Sequence, residues 1–581
     1  MMRIERHGIS KASGLVLAGA LAVAAAGFKT LEGFGPGAAS QRSGWDQIDV
    51  SRLLENTKIL ASDEFGGRAP ASKGEGLTMS FLEAQFKQLG LKPGNSDGTY
   101  FQEVPMVGIT ADPSAQLAFT PPASGDRATL QYGDDFMAWT KREQVEASID
   151  SDLVFVGYGT VAPEFDWDDY KGLDVKGKVL VMLINDPPVP DPDDPSKLDE
   201  KVFKGRAMTY YGRWSYKFEM AARKGAAGCL IIHETGPAGY PWGVVKGSFA
   251  GELFDLVRSD RGMSRSAVEG WITYEKAQAL FAMAGKDLGV LKKAAVGRDF
   301  RPVPLGVRAS LTLRNKIRRI NSRNAIAKLE GHDPKLRDEY VVYMAHWDHF
   351  GIGPEVNGEK IYHGAIDNAS GVAGLLEIAR AFTKVQSQPP RSILFLSVTA
   401  EEQGLLGSKY YAEHPLYPLE KTLAVINMDG LNVRGKTKDL TVVGLGMSTL
   451  DDYVKAVAAE QGRSVKPDAE PEKGFYYRSD HFDFAKQGVP ALDPGSGIDF
   501  IGRPEGWGLE MRNKYTTQDY HKPSDKVRPD WDLSGAVEDL QLFFEVGYRI
   551  ANADKYPTWN PDAEFKAKRD AMLKAVTSEK Q

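Results

Sequence analysis

From Arg319 onward the chain alternates between runs of strand length and runs of helical periodicity. Tyr340–Ala345 and Ile393–Val398 are short and almost wholly apolar, as strands buried on both faces are. Between them, Ser370–Thr383 puts Leu375, Ile378, Ala379 and Phe382 on one helical face. Further strands are expected at Thr422–Met428 and Leu440–Val443, and helices at Leu450–Gln461 and Gly535–Ala551. This succession predicts an α/β fold, a mostly parallel central sheet flanked by helices. Open sheets of this kind bind ligands at the carboxyl ends of their strands. The residues that end these strands are therefore the first place to look for chemistry.

The preceding segments have another texture. Trp45–Gly94 reads as two helices, carrying Leu53, Leu54, Ile59 and Leu60 and then Phe81, Leu82, Phe86 and Leu89, with Gly66-Gly67-Arg68-Ala69-Pro70 between them. From Ala111 to Pro304 short β-rich runs and Gly/Pro punctuation take over, with an acidic, proline-rich loop at Asp186–Asp199. That stretch reads as an inserted β-rich domain. Its Gly157-Tyr158-Gly159 turn is no dinucleotide fingerprint, because Pro163 and the acidic Glu164–Asp169 follow where a phosphate-binding helix belongs. The expected organisation is a leader over 1–26, a linker over 27–44, two parts of one α/β domain over 45–110 and 305–553 around an insertion at 111–304, and a charged tail over 554–581.

With 581 residues, 42% hydrophobic and 26% charged, the chain can fill several cores, which excludes extensive disorder. A net charge of −6 excludes a nucleic-acid partner held by a basic surface. The lone cysteine, Cys229, sits in an apolar run and reads as a small buried hydrophobe. Arg3, Arg6 and Lys11 precede an apolar stretch, Gly14–Ala26, in the pattern of a secretory signal. An exported protein, periplasmic or secreted, is expected, the alternative being an uncleaved N-terminal anchor. Oligomeric state is left open.

Three of the strands end in acidic or imidazole side chains: His346 and Asp348, Glu401 and Glu402, and Asp429. Asp367 stands in a turn just before a helix N-terminus, and Tyr520-His521 lies in a late loop. Two histidines and three carboxylates suit a pair of divalent cations in the manner of zinc, one carboxylate bridging. Glu401 is then free to act as a general base, and such a pair of metals favours amide hydrolysis. Each residue alone fits a capped loop or a solvated helix start. Only their joint occurrence at matching places in the alternation carries the reading.

His346-Trp347-Asp348, Gly364-Ala365-Ile366-Asp367-Asn368-Ala369-Ser370-Gly371, Thr399-Ala400-Glu401-Glu402-Gln403-Gly404, Asn427-Met428-Asp429 and Asp519-Tyr520-His521-Lys522-Pro523-Ser524-Asp525 together resemble the M28 family of zinc metallopeptidases. The resemblance covers most of Asn321 to Ala551. It implies two zinc ions, one held by His346, Asp367 and Asp429, the other by Asp367, Glu402 and His521. It further implies Glu401 as general base, Asp348 as the carboxylate that orients the first histidine, and Tyr520 as a hydrogen-bond donor to the tetrahedral intermediate. Ile366 departs from the family pattern, in which many relatives carry a second acid. Val156–Gly159, Asp169–Asp174, Gly177–Val179 and Lys224–Ile232 resemble the protease-associated (PA) domain often inserted in such enzymes.

The resemblance implies an exopeptidase that removes N-terminal residues from peptides. A carboxypeptidase of the glutamate carboxypeptidase type is the alternative, with Arg478, Arg503 and Arg512 as candidate cations for a terminal carboxylate; a receptor-like relative without catalysis is another. His349, His363 and His481 lie near the motifs as candidate supporting or pocket groups, His481 foremost.

Overall fold

The computed structural model describes residues 44–121 and 125–579; the expected leader and most of the linker lie outside them. At the centre of the main sheet, Ser392–Val398, Tyr340–His346, Thr422–Asn427 and Ala491–Ser496 run parallel, side by side. Antiparallel strands extend one edge: the long strand Val303–Leu329, then Phe101–Ala111, then Glu252–Leu256. At the other edge Asp439–Val443 runs antiparallel to Ala491–Ser496 and parallel to Ser464–Pro467.

Every residue of the first three central strands is buried. Successive side chains point to opposite faces of a strand, so Tyr340–His346 feeds two cores at once. Val341, Tyr343 and Ala345 pack with the helices Gly371–Thr383 and Ser534–Asn552, while Tyr340, Val342 and Met344 pack with Tyr411, Phe484 and Trp559. Fully burying one such large apolar side chain is worth roughly 1.5–3 kcal/mol, which sets the register of the sheet firmly.

A second sheet shares the long strand. Its residues Val303–Arg314 pair with Glu146–Phe155, whereas Asn315–Ala325 pair with Phe101–Ala111 of the main sheet. The boundary expected at Pro304 thus falls inside a continuous strand, and the second sheet runs on to Arg314. Glu146–Phe155, Val179–Leu183, Gly228–His233 and Val268–Thr273 lie parallel in that order. The segment read as β-rich therefore has a parallel α/β layout of its own, with the helix Trp214–Arg223 in the crossover from Val179–Leu183 to Gly228–His233. A parallel pair needs such a crossover; the strands and the helix are legible one by one in the sequence, at 178–184, 214–224 and 229–233, but not their parallel pairing. Cys229 is buried in this sheet beside Met182, and burial pushes its thiol upward.

The charged segment 554–581 carries anchors. Trp559 and Phe565 are buried, and Arg569 donates to the carbonyls of Leu419, just before the strand that leads to Asp429, and of Thr422, its first residue.

Candidate metal centre

The carboxyl ends of the parallel strands converge as the alternation predicts. His346 is the last residue of its strand, Asp429 lies just beyond Thr422–Asn427, and Glu401 and Glu402 follow Ser392–Val398. Ala400, immediately before Glu401, has φ 53 and His521 has φ 58. A left-handed backbone at non-glycine residues costs energy and persists where the surroundings impose it, commonly at functional sites.

Asp367 divides the site. His346 Nε2 lies 3.3 Å from Asp367 Oδ1 and 3.2 Å from Asp429 Oδ1. His521 Nε2 lies 3.4 Å from Asp367 Oδ2 and 3.1 Å from Glu402 Oε2. One carboxylate thus turns one oxygen to each cluster. Its place is secured from behind, where the backbone amides of Ile366 and Asp367 donate to the two oxygens of Asp525, both at 3.1 Å. Glu401 Oε2 stands 3.9 Å from His346 Nε2. Tyr520 stacks on His521 with ring centroids 3.7 Å apart.

Asp348 acts on both strand ends. Its carboxylate accepts the backbone amide of Glu401 at 3.1 Å, its carbonyl oxygen lies 3.2 Å from His346 Nδ1, and its carboxylate stands 3.8 Å from the same nitrogen.

The electrostatics are those of crowded carboxylates. Burial, reinforced by Glu402 and Asp429, pushes Glu401 well above the usual range against the pull of His346. Burial raises Asp348 to about 7, and Asp493, with Asp429 adding to the effect, to about 8. Burial would raise Asp367 too, but hydrogen bonds from His346 and His521 hold it well below its ordinary value. Among the described residues no lysine or arginine forms an ion pair with Asp348, Asp367, Glu401, Glu402 or Asp429. His349 Nε2 and His521 Nδ1 are buried without a hydrogen-bond partner. Buried polar groups in native proteins are normally satisfied. Imidazole nitrogens and carboxylate oxygens with no thiolate are the donor set of zinc. Two groups of such atoms, those of His346, Asp367 and Asp429 and those of His349, Asp367 and Glu402, each lie within 4.8 Å of one another and fit divalent cations, with His349 in the place expected for His521 from the sequence.

His349 completes the second group. The ring is fully buried, and Nδ1 stands 2.5 Å from Glu402 Oε1. Its proximity to the first motif was visible in the sequence, its direction was not. His363 turns to Asp63, 2.7 Å from its Nε2. His481 is buried against Tyr476, 3.9 Å from Asp493, and burial draws its pKa down to about 3.

Arg68 carries no chemistry-bearing pattern in the sequence, yet it braces the site. Fully buried, it donates to the carbonyls of Trp347, Leu60, His363 and Gly364 at 2.7–2.9 Å. Of the three arginines singled out by position, Arg478 lines the cavity that holds Glu401, Glu402 and Tyr520. Arg512 is paired with Glu470 at 2.6 Å, and Arg503 lies over the ring of Trp507.

Residues 324–544, which hold every metal-binding candidate named above, match the model of Peptidase family M28. The chain carries an M28 peptidase domain. Aminopeptidase NAALADL1 of Mus musculus is 36% identical over 282 residues, 44% of this chain and 33% of that protein. A probable leucine aminopeptidase 2 of Aspergillus oryzae is 30% identical over 224 residues, 38% of this chain and 35% of that protein. The chain thus spans about a third of the length of these curated relatives. Among solved structures, an aminopeptidase from Aneurinibacillus sp. strain AM-1 superposes with a TM-score of 0.52 at 19% identity, over 89% of this chain and 97% of that one. The M28 domain and its companion sheet therefore share an architecture with that protein.

Proposed function

We propose that the chain is a zinc-dependent aminopeptidase that removes N-terminal residues from peptides at a two-metal site. The observation that carries this reading is Asp367, whose two oxygens face two separate groups of ligands. His346 and Asp429 would hold one zinc with it, and Glu402 and His521 would hold the other. Bound there, zinc supplies Lewis-acid polarisation of the scissile carbonyl and a lowered pKa for the attacking water. Glu401 takes the proton of that water and passes it to the leaving amine, and Tyr520 donates to the tetrahedral oxyanion. The uncompensated carboxylates Glu401 and Asp429 also suit the free α-ammonium of a substrate. The names of the matched relatives, aminopeptidases and zinc metalloproteases, support the same reading.

Export accompanies this proposal, supported by the basic leader and apolar stretch Gly14–Ala26. No helix among the described residues is long and apolar enough to cross a membrane. The segment 111–304 is proposed as a PA-type insertion that governs access to the metals.

The decisive experiment uses a pentapeptide and its end-blocked forms. Acetylating the N-terminus is expected to abolish cleavage, whereas amidating the C-terminus leaves the rate within a few fold. The reverse pattern makes the protein a carboxypeptidase. No hydrolysis of any peptide by the zinc-loaded protein supports a receptor-like relative.

A further inference from the structure

A fourth parallel strand ends at the same crevice as the three that carry the metal-binding candidates. Ala491–Ser496 lies beside Thr422–Asn427 with Ala491 against Val425 and Leu492 against Ile426, so the next residues along the pair are Asp493 and Asn427. Val425 and Ala491 belong to the core that holds Tyr476 and Phe484, whereas Ile426 and Leu492 face the opposite core. Since side chains alternate between the faces of a strand, Asn427 and Asp493 share the face of Tyr476. Along the crevice the strand ends thus present Glu401 and Glu402, then His346, then Asp429 two residues beyond Asn427, and last Asp493.

Asp493 has no cation. Among the described residues no lysine or arginine pairs with it, and its neighbours are Asn427 Nδ2 at 3.5 Å, His481 Nδ1 at 3.9 Å and the carboxylates of Asp429 and Asp468. Asp468, by contrast, is matched by Arg512 at 3.4 Å. The groups that face Asp493 are incompletely satisfied as well. Asn427 is 1% exposed and its Oδ1 has no hydrogen-bond partner; His481 is fully buried and neither has its Nδ1. The Asp493 side chain itself keeps 14% of its surface open. A largely buried carboxylate without a counter-charge is costly, and a cation brought beside it would relieve the effect of burial and of Asp429.

The α-ammonium of a substrate already has Glu401 and Asp429 to meet it. Neighbouring strands lie about 4.8 Å apart, a distance that a lysine or ornithine side chain can span, so a second positive charge on the same residue suits Asp493. We propose that Asp493 binds the cationic side chain of the substrate's N-terminal residue. This rests on the aminopeptidase reading and gives it a substrate class, peptides that begin with a basic residue. Neutral N-terminal residues are still removed, but without this contact.

The test uses the zinc-loaded full-length enzyme with lysyl-, ornithyl- and norleucyl-p-nitroanilide. The better of the two basic substrates is expected to exceed the norleucyl one in kcat/KM by about tenfold or more, mainly through KM, as a charge-assisted hydrogen bond predicts. Asp493→Asn, checked for unchanged zinc content and circular dichroism, brings that ratio to about one, and Asp493→Glu keeps part of it. Calorimetry with free L-lysine, L-ornithine and L-norleucine reads the same contact without turnover, and the same order of affinities is expected. The proposal is overturned if wild type treats basic and norleucyl compounds alike in both measurements, or if the preference survives in Asp493→Asn. An equal rise in KM for basic and norleucyl substrates in that variant, with the ratio unmoved, also overturns it and gives Asp493 to the α-ammonium. If Asp493→Asn fails to fold, Asp493→Ser takes its place, and equal affinities of wild type for the three amino acids overturn the proposal without any variant. Hydrolysis of Nα-acetyl-lysyl-p-nitroanilide at the rate of lysyl-p-nitroanilide sinks the aminopeptidase reading, a result independent of the basic-to-norleucyl ratio that decides this one.

Discussion

Arg68 donates a hydrogen bond to the carbonyl oxygen of Gly364 at 2.9 Å across 296 residues of sequence. The same guanidinium reaches Trp347 and His363, so one side chain from the turn after the first described helices ties the His346 strand end to the loop of Asp367. Burial draws its pKa down to about 10 against the pull of Asp348 and Asp525, which keeps it cationic under the carboxylates. An ammonium cannot satisfy four carbonyls spread around a planar fork. Arg68→Lys is therefore expected to cost at least about 2 kcal/mol in urea unfolding, from buried carbonyls left without donors at about 1–3 kcal/mol each. A chelator titration should show weaker metal retention in the same variant. Unfolding within about 0.5 kcal/mol of wild type, the usual range for surface changes, refutes the bracing role.

Asp367→Asn tests the shared ligand. A neutral amide bridges two dications poorly, so both activity and bound zinc should fall, as read by elemental analysis. Retention of two full equivalents rules the bridge out.

Glu401→Gln separates proton transfer from metal binding. The substitution leaves His346, Asp367, Glu402, Asp429 and His521 in place. Zinc content should stay near wild type while kcat falls by about 10² to 10⁴, the common contribution of general acid–base catalysis. Turnover close to wild type would mean that another group accepts the proton.

Asp255 offers a stability test away from the metals. It is buried between Lys141 at 3.7 Å and Arg258 at 3.6 Å. Burial alone would raise its pKa, but Lys141, Arg258 and more distant cations prevail and lower it from 3.8 to about 2. A carboxyl whose pKa is depressed by folding binds fewer protons in the native state, so its stabilisation is complete above the unfolded value and fades as pH falls through the folded one. Asp255→Asn should thus lose about 2 kcal/mol at pH 7, and the gap from wild type should close between about pH 4 and pH 2. Chemical denaturation across that range measures it; a gap independent of pH contradicts the ion-pair account.

The main sheet and most of its metal-binding candidates were legible in the sequence because both are properties of short runs. A strand buried on both faces must be apolar throughout, and its carboxyl end must open on the crevice, so His346, Glu401, Glu402 and Asp429 announce themselves by where the apolar runs stop. The local motif around Asp367 placed it before a helix, but the division of its two oxygens between His346 and His521 depends on Asp525 packing behind it. Nothing local distinguishes Arg68 from ordinary polar residues, and nearness to the first motif is all that singles out His349. Their character comes from the loss of water: once chain segments hundreds of residues apart close around them, each donor must find an acceptor, and those that find none among the described residues mark where a ligand belongs. The long strand Val303–Leu329 alternates from Leu305 to Asn315 and loses that alternation beyond it, where its partners change from one sheet to the other, because the strands that dock on it decide which side chains are buried. Sequence by itself determined the fold class and offered the candidate ligands; the tertiary structure decided which groups are braced, which are shared and which are left without a partner among the described residues, since burial and counter-charge exist only when distant segments meet.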